Sequence, residues 1–232
     1  MLFLSVDTSG RQGSIALVRA DAAVAGVASG GVASPVDYRV IEVVALAGGM
    51  FSAQLVPQVA ELLVRHGFGK GDIDAFIVAS GPGSFTGLRV GLAAVKALAE
   101  VLQKPIAAVS LLEAVALFSG DQGRVAAALD AGRSDVYWGE YEIAGSSAQM
   151  ISEQILSREQ FLLAAKSARV FSSDAALAAA AQAAGGSVTR VGPMDAGPIS
   201  PVGVRKIFAG DTVSPTLLEA NYIRRADAKI RS

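Results

Sequence analysis

The chain contains no cysteine, which excludes disulfides, thiol catalysis, iron–sulfur clusters and cysteine-bound zinc. Its single histidine, His66, excludes a multi-histidine metal centre. With no Gly-x-Ser-x-Gly elbow either, a hydrolase triad has no footing. Aromatic residues make up 6% and charged residues 18%, below the usual quarter for charge. No charge of either sign dominates: 20 Lys+Arg stand against 21 Asp+Glu, a net charge of −1. Nothing in that balance holds a nucleic acid by a global basic field. No run of 18 apolar residues is free of charge, and the best, 106–118, contains Glu113. The opening Met1-Leu2-Phe3-Leu4-Ser5-Val6-Asp7 has no basic n-region and meets a carboxylate at once. The expectation is a soluble, cytoplasmic protein with no membrane partner.

What is present is apolar. Hydrophobic residues make up 52% and the mean hydropathy is +0.45, so the chain is not disordered. Much of the excess is alanine, a good neutral helix former. Its abundance also fits a protein that covers part of its surface with a partner. At 232 residues the chain makes one large domain or two small ones.

Apolar runs at 2–7, 13–19 and 39–46 read as strands, the first two joined by a turn at 8–12. The stretch 21–35, rich in Ala, Gly and Val, reads as a loop or an extra hairpin. A 3.6-residue stripe predicts a helix over 51–66, with Pro57 near its start and Gly67 closing it. A short buried strand at 75–79 feeds Ser80-Gly81-Pro82-Gly83-Ser84-Phe85-Thr86-Gly87, which opens a helix to about Lys104. A strand at 106–109 follows, then a helix capped by Ser110 and Glu113. Strands at 125–130, 135–143 and 149–156 start the second half. Ser157 and Gln160 cap a short helix, 170–171 is strand-like, and 174–184 is an alanine helix. Ser200-Pro201 reads as an N-cap and first residue of a helix to about Ala209.

The halves share a pattern. Val6-Asp7-Thr8-Ser9-Gly10-Arg11 and Leu129-Asp130-Ala131-Gly132-Arg133-Ser134 each end a strand on Asp, turn through Gly-Arg and begin another strand. Either this is chance or the fold is duplicated, as in the actin/hexokinase/Hsp70 class. The glycine-rich segment carries two readings. Its free N–H groups at a helix start can hold an anion, or glycine is needed there for a tight strand-to-helix turn. It is neither a P-loop nor a dinucleotide fingerprint. Asp7 either serves a magnesium-held nucleotide or caps its own turn. His66 suits a helix C-terminus. The cations Arg224, Arg225, Lys229 and Arg231 either touch RNA phosphates or simply face solvent.

Ser80 to Gly91 resembles the signature of the bacterial TsaB (YeaZ) proteins, as does Val6-Asp7-Thr8-Ser9. Leu129-Asp130-Ala131-Gly132-Arg133 with Val136-Tyr137 is similar to their second-half motif, and Asn221-Tyr222-Ile223-Arg224 to their closing element. The likeness is colinear over nearly the whole chain. It departs from the family at Phe51, where a histidine is usual, and in the longer stretch 21–35.

The resemblance implies an α/β, two-lobed, duplicated actin/hexokinase/Hsp70-like fold with mixed sheets flanked by helices. The lobes are expected at 1–109 and 110–232. It implies a non-catalytic subunit that binds TsaD and, with it, the ATPase TsaE. Together they form N6-threonylcarbamoyladenosine next to the anticodon of tRNAs reading codons that begin with A. No intrinsic cofactor or metal is implied; ATP or ADP and magnesium belong to the complex, and tRNA is met through it. A self-dimer is the expected substitute when TsaD is absent. The alternative is a small stand-alone ATPase or kinase of the same fold. No catalytic residue is expected. Asp7, Thr8, Ser9 and Gly83 are weak nucleotide-site candidates. Gly81, Pro82, Gly83, Ser84, Gly87 and Arg89 form a structural loop. Leu55, Val56, Val59, Leu63, Leu92 and Val95 are the expected partner face on the two long helices.

Overall fold

Every residue of strand β1 (Leu2–Asp7) is buried, because both faces of its sheet are covered. Leu2, Leu4 and Val6 enter the core beneath helices α1 (Phe51–Arg65) and α2 (Phe85–Leu102). Phe3 and Ser5 face the other way: Phe3 meets Phe208 edge-on at 6.1 Å and the Ser5 hydroxyl donates to the Ala196 carbonyl. Both partners belong to helix α6 (Ala196–Phe208). In this computed structural model the described residues are 1–21 and 37–223. Most of the stretch 21–35 and all four cations of 224–232 lie outside them. No described helix is long and apolar enough to cross a membrane.

The first sheet has the order β3-β2-β1-β4-β5. Strands β2 (Gly13–Asp21) and β3 (Asp37–Leu46) continue an antiparallel meander from β1, while β4 (Ala75–Gly81) runs parallel to β1 and β5 (Ile106–Ser110) forms the edge. The second sheet repeats the plan as β8-β7-β6-β9-β10. There β6 (Gly123–Gly132), β7 (Asp135–Ala144) and β8 (Ser147–Ser157) form the meander, and β9 (Val170–Ser172) and β10 (Val188–Arg190) run parallel to β6. The duplication suggested by the two Asp-Gly-Arg turns is therefore carried by the whole strand order.

Each sheet is covered on two faces. In the second unit Trp138 shares a core with Phe161 of α4 (Arg158–Ala164) and Leu177 of α5 (Ala175–Ala183). Tyr141 and Phe171 pack with Leu112 and Val115 of α3 (Leu111–Leu117). Helix α3 follows the first sheet in sequence but belongs to the second unit, and α6 follows the second sheet but packs on the first. The units are thus 1–109 with 195–220, and 110–194 with the chain from Asn221 on. That corrects the expected second lobe of 110–232, from which 195–220 is withdrawn.

Local signals act largely as read. Ser84, Ser110, Ser157 and Asp174 cap α2, α3, α4 and α5, and Ser157 with Gln160 completes a capping box. Helix α6 departs from expectation. It begins at Ala196, four residues before Ser200, capped by the Asp195 side chain on the Gly197 N–H. Pro201 lies inside it, where burial of Ile199, Pro201, Val202 and Val204 outweighs the lost hydrogen bond. The Ser200 hydroxyl donates to the Ala196 carbonyl at 2.5 Å, beside the bond from Ser5. Strand β10 is not foreseen in the sequence pattern; its three residues are too short to show a period.

Candidate functional site

The glycine-rich segment joins β4 to α2 and locks onto the β1–β2 turn. The Ser84 N–H donates to the Ser9 carbonyl at 2.7 Å, and the Thr8 hydroxyl to the Gly87 carbonyl at 2.7 Å. The Ser84 hydroxyl accepts from the Gly87 N–H at 3.2 Å. A Cβ at Gly83 would stand 2.6 Å from the Ser9 oxygen, and at Gly87 2.0 Å from the Thr8 oxygen. A Cβ at Gly91, one helical turn on, would stand 2.3 Å from Thr8 Oγ1. Neither Gly83 nor Gly87 has positive φ; only Gly81 does, at 127°, ahead of the cis bond to Pro82. Glycine is needed at 83 and 87 so that two backbones can touch, and at 91 so that the Thr8 side chain has room. Arg89 lies 3.7 Å over the Phe85 ring at the exposed start of α2.

Asp7 is buried, and its Oδ1 accepts from the Ser9 N–H at 2.8 Å. Burial pushes its pKa above the usual carboxylate range; hydrogen bonds from Ser9 oppose that rise and nearby Asp195 adds to it. These residues do not fit a phosphate-holding loop. The space a phosphate would take against the glycines is filled by Thr8 and Ser9, and the Ser84 and Gly87 N–H groups have partners within the chain. Among the described residues no cluster of three or more His, Cys, Asp or Glu is placed to hold a metal ion. In the second unit Asp130 makes the same turn bond, to the Gly132 N–H at 3.2 Å, but is exposed. Gly185, with φ of 77°, merely ends α5.

The sole imidazole lies elsewhere. His66 Nε2 is 2.7 Å from Glu42 of β3, which also pairs with Arg65. The hydrogen bond from His66, joined by Arg65, holds the Glu42 carboxyl below its ordinary pKa. This is a helix-end clasp, with no reacting group beside it.

The expected partner face is corrected by burial. Leu55, Val59, Leu63, Leu92 and Val95 are all 5% exposed or less and belong to the chain's own core. Of the six, only Val56 is exposed, at 53%. The most apolar phase of a helix turns inward. A second stripe faces out: Ala53, Val56, Ala60 and Val64 on α1, with Ala93, Ala97 and Val101 on α2. Val64 and Val101 are each 76% exposed.

A protein-family model described as "TsaD: tRNA N6-adenosine threonylcarbamoyltransferase" matches residues 45–204. The "tRNA threonylcarbamoyladenosine biosynthesis protein TsaB" of Bacillus subtilis is 32% identical over 165 residues, 71% of this chain and 63% of that protein. The protein of the same name from Escherichia coli is 37% identical over 92 residues, 38% of this chain and 40% of that one. The chain belongs to the TsaB (YeaZ) family. These alignments span less than two thirds of the relatives' own length. Over nearly the whole chain, 96% of it, the fold matches "YeaZ from Pseudomonas aeruginosa" with a TM-score of 0.69 and 24% identity, covering 100% of that structure. The two mixed sheets flanked by helices are thus the actin/hexokinase-like arrangement of the TsaB family.

In a TsaB family chain the glycine motif reads as an interlock between β1 and α2. Three features escape sequence reasoning. The outer alanine–valine stripe is hidden by its weaker hydrophobicity, although it has the same 3.6 period one step out of phase. Gly91 is legible only as a small residue at the end of the glycine motif, because its contact is with Thr8. Glu153 of β8 gathers donors from three elements: the Ser110 hydroxyl at 2.9 Å, the Tyr141 hydroxyl, and the Asn221 amide at 2.6 Å. Burial and the facing Glu153 push the Tyr141 pKa up, so the phenol stays a donor.

Proposed function

We propose that this chain is a non-catalytic subunit that pairs with a TsaD-like transferase through the outer face of α1 and α2, in forming N6-threonylcarbamoyladenosine on tRNA. The observation that carries the reading is the exposed stripe Ala53, Val56, Ala60, Val64, Ala93, Ala97 and Val101. Small apolar residues let another helix pair approach closely, and exposed apolar surface of this extent marks an interaction site. A TsaD-like partner is favoured because the family model named for that transferase matches this chain from residue 45 to 204, including both helices. The partner then carries the same two helices, and two like faces pair about an approximate two-fold axis. A second copy uses the same face when the transferase is absent.

Nucleotide and magnesium belong to the complex with TsaD and a TsaE-like ATPase. The filled glycine loop supports this and weighs against a stand-alone ATPase or kinase, for which tight Mg-ATP binding by the isolated chain is expected. The test is pull-down and calorimetry with a TsaD-like chain. Val56→Arg and Val101→Glu are expected to abolish binding at an unchanged melting temperature. Wild-type affinity in both variants overturns this placement. Product formed from threonylcarbamoyl-adenylate and tRNA by this chain alone overturns the non-catalytic role.

A further inference from the structure

An open cavity of about 320 Å³ lies at the start of β1, within the first unit. That is room for a small molecule and little more. Its floor is apolar: Leu2 is buried, and Phe68, which follows α1, is half-buried against the same core. Two carboxylates stand on one side. Asp74 Oδ2 accepts from the Leu2 N–H at 2.7 Å and Asp72 Oδ2 from the Gly69 N–H at 2.7 Å. Each leaves a second oxygen without a hydrogen bond among the described residues. A guanidinium stands on the other side: Arg19 of β2 is directly opposite Leu2. Asp74 enters β4, and β2 and β4 flank β1, so the two backbones lie about 10 Å apart, two strand spacings.

The cations here are not used within the chain. Arg39 of β3 is the direct cross-strand neighbour of Arg19, so two guanidinium groups share one face, which costs stability. Among the described residues neither side chain makes an ion pair or a hydrogen bond. The nearby acids are committed elsewhere. Glu42, along the same face of β3, is held by Arg65 and His66, and Asp21 faces the Met1 ammonium at 3.6 Å.

We propose that this cavity binds a small zwitterion, an α-amino acid with an apolar side chain. Its ammonium meets Asp72 and Asp74, its carboxylate meets Arg19 with Arg39 beside it, and its side chain lies on Leu2 and Phe68. A carboxylate relieves the repulsion between the two guanidinium groups, and the planar fork of Arg19 takes it through two parallel hydrogen bonds. A ligand of one charge sign gains on one side of the cavity and loses on the other: a bare cation faces Arg19, and a bare anion faces Asp72 and Asp74. The proposal is independent of the pairing through α1 and α2 and is tested on the chain by itself.

The experiment is an amide chemical-shift titration of the full chain with L-leucine. Two parallel arms use isoamylamine, which is leucine without its carboxylate, and isocaproate, which is leucine without its ammonium. Leucine is expected to shift the amides of Leu2, Phe68 and Asp74 saturably in the millimolar range. Each half-molecule is expected to bind about tenfold more weakly, in line with loss of one charge-assisted contact. Arg19→Gln is expected to lower leucine affinity about tenfold, and so is the double variant Asp72→Asn with Asp74→Asn, whose amide oxygens still accept from Gly69 and Leu2. Arg39→Gln lowers it by less. Absence of a saturable leucine shift, or a shift confined to other amides, overturns the site. Amine or carboxylate binding as strong as that of leucine overturns the zwitterion, as does wild-type leucine affinity in Arg19→Gln. Should a variant fail to fold, the two half-molecule arms on the wild-type chain still decide the proposal.

Discussion

The two sheets share one topology and differ in how their first turns are finished. At Asp7 the turn is buried and locked: Thr8 donates to Gly87, Ser84 donates to Ser9, and three glycines let α2 lie against it. At Asp130 the same turn bond is made in the open, and the residue after it is Ala131, with no hydroxyl to donate. The helices follow suit. The first pair has 15 and 18 residues, the second 7 and 9. Strand β4 has seven buried residues, where β9 has three. Duplication thus supplies the frame, and one copy alone is elaborated into a rigid platform with long helices to present.

Three pairs of substitutions test that contrast, in falling order of effect. Val95→Glu places a charge at a fully buried site of the first unit, so it is expected to cost on the order of 4 kcal/mol and largely unfold that unit. Val101→Glu, two turns along the same helix but 76% exposed, leaves the thermal melt in place. Equal melting of the two would show that α2 does not seat as described.

The glycines come next. Gly87→Ala drives a methyl into the Thr8 carbonyl, 2.0 Å away, and is expected to cost roughly 1–3 kcal/mol in chemical denaturation. Gly132→Ala meets open space and suffers only from its left-handed backbone, at about 1 kcal/mol. A larger loss at 132 than at 87 would reverse the reading of which turn is locked.

The smallest effect concerns Asp7. Its folded pKa is raised by burial above the unfolded value of 3.8, so the folded state holds the proton more tightly. Stability therefore falls as pH rises from 3.8 through the raised pKa, and above it the buried charge is a constant cost. Asp7→Asn removes that cost and keeps an oxygen for the Ser9 N–H. Its melting temperature is expected to exceed wild type by a few degrees at neutral pH, roughly the yield of 1 kcal/mol. The gain vanishes below pH 3.8. The same exchange at exposed Asp130 stays within the spread of surface substitutions. A gain at Asp7 that persists in acid would show that burial of charge is not its cause.

Most elements of both sheets were legible because their signals are local: strand runs, serine caps and the glycine that closes α1. The start of α6 was not, because Ser200-Pro201 imitates a cap more strongly than Asp195, and what holds the true start lies far away. The Ala196 N–H and carbonyl bond to Ser14 and Ser5, 182 and 191 residues back in sequence. The glycine loop was legible as a motif, but its two readings separate only when the Ser9 and Thr8 oxygens are seen against it. Five of the six residues expected on a partner face lie in the chain's own core, since hydrophobicity is strongest where a helix meets that core.

The exchange of α3 and α6 sets an order on synthesis. A ribosome that has made residues 1–109 has made the whole first sheet and both its long helices, yet not the helix that covers Phe3 and Ile77. That face waits while residues 110–195 are translated, on the order of ten seconds at typical bacterial rates. Meanwhile the second unit receives its own cover, α3, before its first strand. The later unit therefore has its whole sheet and three of its helices before α6 emerges, while the earlier one closes only with α6, and Asn221 and Ile223 join the later unit last.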